Sequence, residues 1–152
     1  MDFSITAELA ADAKRVEVFV ADEIIPLEAD PAHYDAHGNI DMSVLQSLRA
    51  KVKAVGLWAP LIPKAQGGLG YGPTGMAVLY EAMNQSIFGP VVFNCAAPDD
   101  GNMYILNKVA SQEQKARWLQ PIIDGDVRSS FAMTEPAPGG GSDPVTYTHL
   151  TL

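Results

Sequence analysis

Cysteine is almost absent. Cys95 stands alone among 152 residues, so no intrachain disulfide can form and a small disulfide-stapled scaffold is excluded. Long apolar runs are missing as well. The hydrophobic stretches are short and broken by charge, and none approaches the roughly 20 residues that a bilayer-spanning helix needs. The segment Met1-Asp2-Phe3-Ser4 has neither a basic flank nor an apolar run, which lacks the pattern of a signal peptide and predicts a cytoplasmic protein. Basic residues are scarce: ten Lys and Arg face 18 Asp and Glu, and nowhere do they form a stripe. A nucleic-acid partner is excluded on that ground. What the chain has in quantity is apolar material, 47% of its residues, enough for the core of one ordinary domain. Its 11 prolines and 13 glycines are dispersed, which excludes a low-complexity disordered chain.

The acidic excess is local. Residues 1–41 hold ten acids against Lys14 and Arg15, whereas residues 42–152 balance eight with eight. The excess reads as a solvated acidic surface, or else as a docking face for a basic partner.

Helical periodicity dominates the first 124 residues. Leu9, Val16, Val20 and Ile24 recur at helical spacing and predict a helix over 6–25, stopped by Pro26. Asp41 is placed to cap a second helix over 42–55 with Leu45, Leu48 and Val52 inward, and Gly56 sits at a left-handed C-cap. A Gly- and Pro-rich loop over 57–73 follows, long enough to require a reason. A third helix runs from Pro73 or Thr74 to about Asn84 with Met76, Leu79 and Met83 as core fillers. A short fourth over 88–96 is broken at 97–101, and a fifth covers 102–109. Ser111 and Gln114 have capping-box spacing and open a sixth helix through Leu119, with Pro121 and Gly125 after it. From Val127 the pattern changes, and residues 127–133 read as a strand. The expected organisation is an all-α domain of about six helices over 1–125, the start of a β-domain over 126–143, and a tail over 144–152.

Chemistry concentrates in residues 131–143. Glycines at 139–141 let backbone donors approach a planar or phosphate-bearing ligand, and Thr134 and Ser142 add hydroxyls. Taken alone, the segment is either a ligand loop or an ordinary glycine-rich connector. It is neither a P-loop, lacking Gly-Lys-Ser/Thr, nor a dinucleotide fingerprint. Elsewhere Cys95 reads as a buried small hydrophobe and Trp58 and Trp118 as packing residues, while Tyr71, beside Gly70 and Gly72, reads as an ordinary loop residue with a cavity-facing side chain as the alternative. His33 and His37 lack companions for a metal site.

Thr134-Glu135-Pro136 followed by Gly141-Ser142-Asp143 resembles the signature of the acyl-CoA dehydrogenase family. Val55-Gly56-Leu57-Trp58 through Gly67-Gly68-Leu69-Gly70, then Glu81, resembles that family's loop after its second long helix and the glutamate that follows. Phe93-Asn94-Cys95-Ala96-Ala97-Pro98-Asp99 with Gly101-Asn102-Met103 is similar to the branch that includes mammalian members ten and eleven. Gln114-Lys115 and Trp118-Leu119 before Pro121 resemble the helix leading to the flavin strand. The resemblance spans roughly residues 5–143 in the family's order.

It implies a helical N-terminal domain, a middle β-domain and a C-terminal helical bundle, assembled as dimers or tetramers, with FAD bound noncovalently between domains. It further implies oxidation of an acyl-CoA to the trans-2-enoyl-CoA by α-proton abstraction and β-hydride transfer, with an electron-transfer flavoprotein as acceptor. Carried over by motif, Phe131, Met133 and Thr134 would line the flavin, Thr134 near its reactive edge. Gly141 and Ser142 would contact the cofactor, and Ser142 also the CoA portion of the substrate. No catalytic residue and no metal ligand carries over, because the family's base is a glutamate of the C-terminal domain. Residues 144–152 match nothing in the family and read as foreign to the frame. The chain is thus expected to be the front part of such an enzyme; the alternatives are the front domain of a related flavin oxidase or monooxygenase, or a non-catalytic helical interaction module.

Overall fold

The computed structural model describes residues 4–132. Helix α1 (Ala7–Phe19) starts where the Thr6 hydroxyl accepts from the Leu9 amide, and α2 (Met42–Ala54) starts where the Asp41 carboxylate accepts from the amides of Ser43 and Val44. Next come α3 (Pro73–Met83), α4 (Gly89–Val92) and α5 (Asp99–Val109). The last helical segment, 112–124, is built from α6 (Gln112–Gln114), a π turn (Lys115–Leu119) and α7 (Gln120–Asp124), and Ser111 and Gln114 close the expected capping box.

Proline shapes two of these helices in the same way. A proline in a helix removes one amide donor and drives its ring toward the carbonyl four residues back. After α1 the chain widens into a π turn (Val20–Ile24), closed by the Ile25 amide on the Val20 carbonyl immediately before Pro26. Before Pro121 the Gln120 amide closes on the Lys115 carbonyl, five residues back. The wider turn makes room for the ring and skips the missing donor. The sixth helix therefore continues through Pro121 instead of ending at Leu119. The fifth also begins earlier than expected, at Asp99, because Asp99 and Asp100 suit a helix's first turn.

The core lies where the apolar stripes meet. Val16, Val20 and Ile24 from the first helical segment, Leu45 and Val52 from α2, Leu79 and Met83 from α3, and Met103 from α5 are fully enclosed. The Phe19 and Phe93 rings meet edge-on at 5.5 Å. Helix α1 lies along α3, α2 against α4, and α5 against the π turn and α7. The loop over 57–73 belongs to this core. Leu57, Trp58, Ala59 and Ile62 are buried, the Ala59 amide bonds the Phe93 carbonyl (3.2 Å), and the Tyr71 amide bonds Pro60 (2.9 Å). That enclosure is the reason for its length.

Several acids of the first 41 residues have defined partners. Asp30 caps the turn at Ala32, Asp35 accepts from His37 and Asn39, and Glu28 accepts from the Ser86 hydroxyl and the Ile87 amide. Glu8 and Glu23 pair with Lys64 and Lys51. Residues 128–132 carry no strand pairing. A strand needs a ladder partner, and none stands beside them among the described residues.

Candidate functional site

The last four carbonyls of a helix have no partners within it. At the end of the 112–124 segment, side chains from three other parts of the chain supply the donors. Asn94 Nδ2 donates to the carbonyls of Ile122 (2.9 Å) and Ile123 (3.3 Å), and Trp58 Nε1 also donates to Ile123 (2.8 Å). Lys53 Nζ reaches Asp124 O at 2.6 Å and Arg49 Nη1 reaches Gly125 O at 3.0 Å. Gly125 turns the chain in the left-handed region (φ +78°), with the Trp58 ring 2.9 Å from where a Cβ would stand. Only glycine meets both conditions. Arg49 is itself buried. Its Nε and Nη2 donate to Val91 O, so one guanidinium ties α2 to α4 and to the end of α7.

Beyond Gly125 the chain is clamped again. Asp99, 2% exposed, opens α5. Its Oδ1 accepts from the Ser129 amide (2.6 Å) and hydroxyl (2.7 Å), and its Oδ2 accepts from Arg128 Nε (2.9 Å). One turn along α5, Asn102 Nδ2 donates to Ser129 Oγ at 2.9 Å. Burial opposes ionisation of Asp99, but the bonds from Ser129 and Arg128 outweigh it and hold the carboxyl below its usual range. Residues 125–130 therefore leave the helical domain along a fixed path.

Two grooves of about 590 Å³ each flank α5. The first lies along the exit path, walled by Ile105, Trp118, Ile122 and Val127 and edged by Arg117 and Arg128. The Arg117 guanidinium stacks on Trp118 at 4.6 Å. The second lies between α5, α3 and the 57–73 loop, where Tyr71, Met76, Tyr80 and Tyr104 face Asp100 and Lys108. The Tyr80 hydroxyl stands 2.6 Å from Cys95 O and 3.0 Å from Asp100 Oδ2, and can donate to one at a time. Burial and the neighbouring Asp100 push its ionisation up, so it remains a neutral donor. Tyr71 lines this groove, with its hydroxyl donating to Asp12 (2.7 Å).

Of the residues expected to hold a ligand, Phe131 lies at the end of the clamped path, 64% exposed. Met133, Thr134, Gly141 and Ser142 lie outside the described residues. Trp58 is a packing residue. Trp118 instead is half exposed on the groove wall. Cys95 is buried, and burial pushes its thiol up and away from nucleophilic character. Glu81 is exposed on α3. His33 binds the Leu27 carbonyl through Nδ1 (2.8 Å), and among the described residues no cluster of His, Cys, Asp or Glu could hold a metal. No described helix is long and apolar enough to cross a membrane. Sequence reasoning missed the buried roles of Arg49, Asn94 and Asp99. For Asp99 a signal existed, since an acid just after a proline marks a helix start.

Residues 6–126 match the family model described as acyl-CoA dehydrogenase, N-terminal domain. The chain is 38% identical over 125 residues, 78% of its length, to acyl-CoA dehydrogenase family member 10 of Mus musculus. It is 37% identical over 144 residues, 90% of its length, to a Mycobacterium tuberculosis protein named probable acyl-CoA dehydrogenase FadE2. A solved structure from Mycobacterium abscessus, assigned to the acyl-CoA dehydrogenases, superposes on 90% of the chain with a TM-score of 0.76 and 40% identity. The chain spans 12% of the mouse relative, 34% of the M. tuberculosis protein and 36% of the M. abscessus chain.

Proposed function

The chain belongs to the acyl-CoA dehydrogenase family, as its N-terminal helical domain, and from that premise we propose that it is the front part of a flavin-dependent enzyme oxidising an acyl-CoA thioester to the trans-2-enoyl-CoA. The observation that carries this reading is the clamped exit path. The helical domain ends in a junction clamped up to Ser130, and the Thr-Glu-Pro and Gly-Ser-Asp motifs follow it in the sequence.

The side chains suit FAD. Phe131 is an aromatic ring left 64% exposed, and it follows directly on Ser130, which lines the groove that Trp118 and Val127 wall. Such a surface fits a planar heterocycle. Phe131, Met133 and Thr134 would hold the flavin, with Gly141 and Ser142 at the cofactor or the CoA portion. The bound flavin supplies a two-electron acceptor for the β-hydride, and an electron-transfer flavoprotein takes those electrons onward. In this reading Phe131 and Met133 would exclude water from the flavin's reacting edge, and the Thr134 hydroxyl would offer it a hydrogen bond. The α-proton would go to a base that this reading assigns to none of these 152 residues, since the resemblance puts that base on a glutamate of the family's C-terminal domain.

The test is made on the full-length protein that carries residues 1–143. It is expected to purify with bound flavin whose visible absorption is bleached anaerobically by an acyl-CoA, with formation of the trans-2-enoyl-CoA. A colourless protein that retains no added FAD would overturn the proposal. Bleaching coupled to rapid oxygen consumption would move the assignment to an oxidase on the same scaffold.

A further inference from the structure

Among the described residues no buried polar side-chain atom lacks a partner, so the few buried charges have definite tasks. Asp99 spends its carboxylate on a segment 29–30 residues away rather than on its own helix. We propose that Asp99 is a positioning residue for the flavin-facing Phe131, acting through Arg128 and Ser129 to fix where that ring stands. The proposal rests on the flavoenzyme reading above.

Each side of the junction is tied separately. Arg49 holds Gly125, and the Asp126 amide bonds Pro121 O at 3.0 Å. Asp99 then takes Arg128 and Ser129, while Asn102 takes the Ser129 hydroxyl and lies 3.5 Å from the Ser130 carbonyl. Phe131 follows directly. A carboxylate that is 2% exposed has no water to exchange for these donors, so the segment has one favourable seat. Arg49 adds a second positive charge near Asp99 from the side of α2. Hydride transfer demands reacting atoms about 3–3.5 Å apart, and a displacement of about 1 Å costs on the order of a hundredfold. A clamp two residues upstream of Phe131 is therefore placed to act on the chemical step.

The experiment compares Asp99→Ala, Asp99→Asn and Ser129→Ala in the full-length flavoprotein with Leu45→Ala, a core substitution on α2 that removes none of the junction's hydrogen bonds. Asp99→Ala is expected to lower kcat by roughly 10- to 100-fold with little change in KM, and to shift the visible spectrum of the bound flavin. Asp99→Asn keeps one acceptor for the Ser129 amide and is expected to recover part of that loss; Ser129→Ala gives a smaller loss of the same kind. Leu45→Ala is expected to lower Tm with kcat and spectrum unchanged. If Asp99→Ala instead behaves like Leu45→Ala, the role of Asp99 is purely structural and the proposal is overturned. Should Asp99→Ala fail to fold, Asp99→Asn and Ser129→Ala decide by the same criterion. A wild-type protein that holds no flavin overturns the flavoenzyme reading and the role given to Asp99 with it, whereas wild-type flavin chemistry beside inert variants overturns only the latter.

Discussion

Arg49 offers the sharpest test of how the helical domain is held. The side chain is 6% exposed and has no carboxylate in contact; its three hydrogen bonds go to two backbone carbonyls, Val91 and Gly125, and it stacks on Trp58 at 5.6 Å. Arg49→Ala leaves both carbonyls without that donor. An unmet buried acceptor costs roughly 1–3 kcal/mol, and the lost cation stack adds about 0.5–1 kcal/mol. The Val91 carbonyl keeps the Asn94 amide at 3.4 Å, and Gly125 lies close enough to the surface for water to recover part of its share, so the expected loss is about 3 kcal/mol rather than the full sum. For a chain of this size that lowers Tm by roughly 6–12 °C. Arg49→Lys retains the charge but cannot bridge two carbonyls, and should lose about half as much. Arg49→Met fills the same space without a donor and separates packing from capping. Urea unfolding with unchanged m-values is the assay. If Arg49→Met lies within about 0.5 kcal/mol of wild type, the carbonyls need no donor and the reasoning fails.

The loop and the acid limb give two further predictions. A Cβ on Gly68 would stand 2.1 Å from the Ile62 carbonyl oxygen and 2.5 Å from that of Ala59, both backbone atoms, so Gly68→Ala must displace the buried loop. A loss of about 2–3 kcal/mol in urea unfolding is expected, and a neutral Gly68→Ala would show that the loop is not fixed. Asp99 has a folded-state pKa depressed below 3.8, so its contribution is fully present above the unfolded value and is lost as pH falls through the folded one. Amide exchange at Ser129 should therefore rise selectively below about pH 4, and Asp99→Asn should flatten that limb. Asp35 and Asp41 are also depressed by amide and side-chain bonds, so the global acid transition should persist in the variant while the local one disappears.

Much of the fold is legible in the sequence because its determinants are local. Thr6, Asp41 and Ser111 accept from amides two or three residues ahead, and the stripes of α2 and α3 bury the residues their spacing selects. Gly56 and Gly125 turn left-handed where the helices stop. One expectation shifted through proline. Pro121 reads as a stop when the only options are helix or loop, and the π turn before it is a third option set by a single backbone bond.

What the sequence alone determined, then, is the class of the molecule: a helical domain whose family is announced by motifs with fixed spacing. The tertiary structure decided which distant groups meet at its exit. Arg49 reaches Gly125 across 76 residues, Lys53 reaches Asp124 across 71, and Asp99 reaches Ser129 across 30. Periodicity carries no information about such pairs. Each depends on how the helices cross, and the free energy that commits a buried arginine or aspartate to one partner exists only after the core has taken away its water.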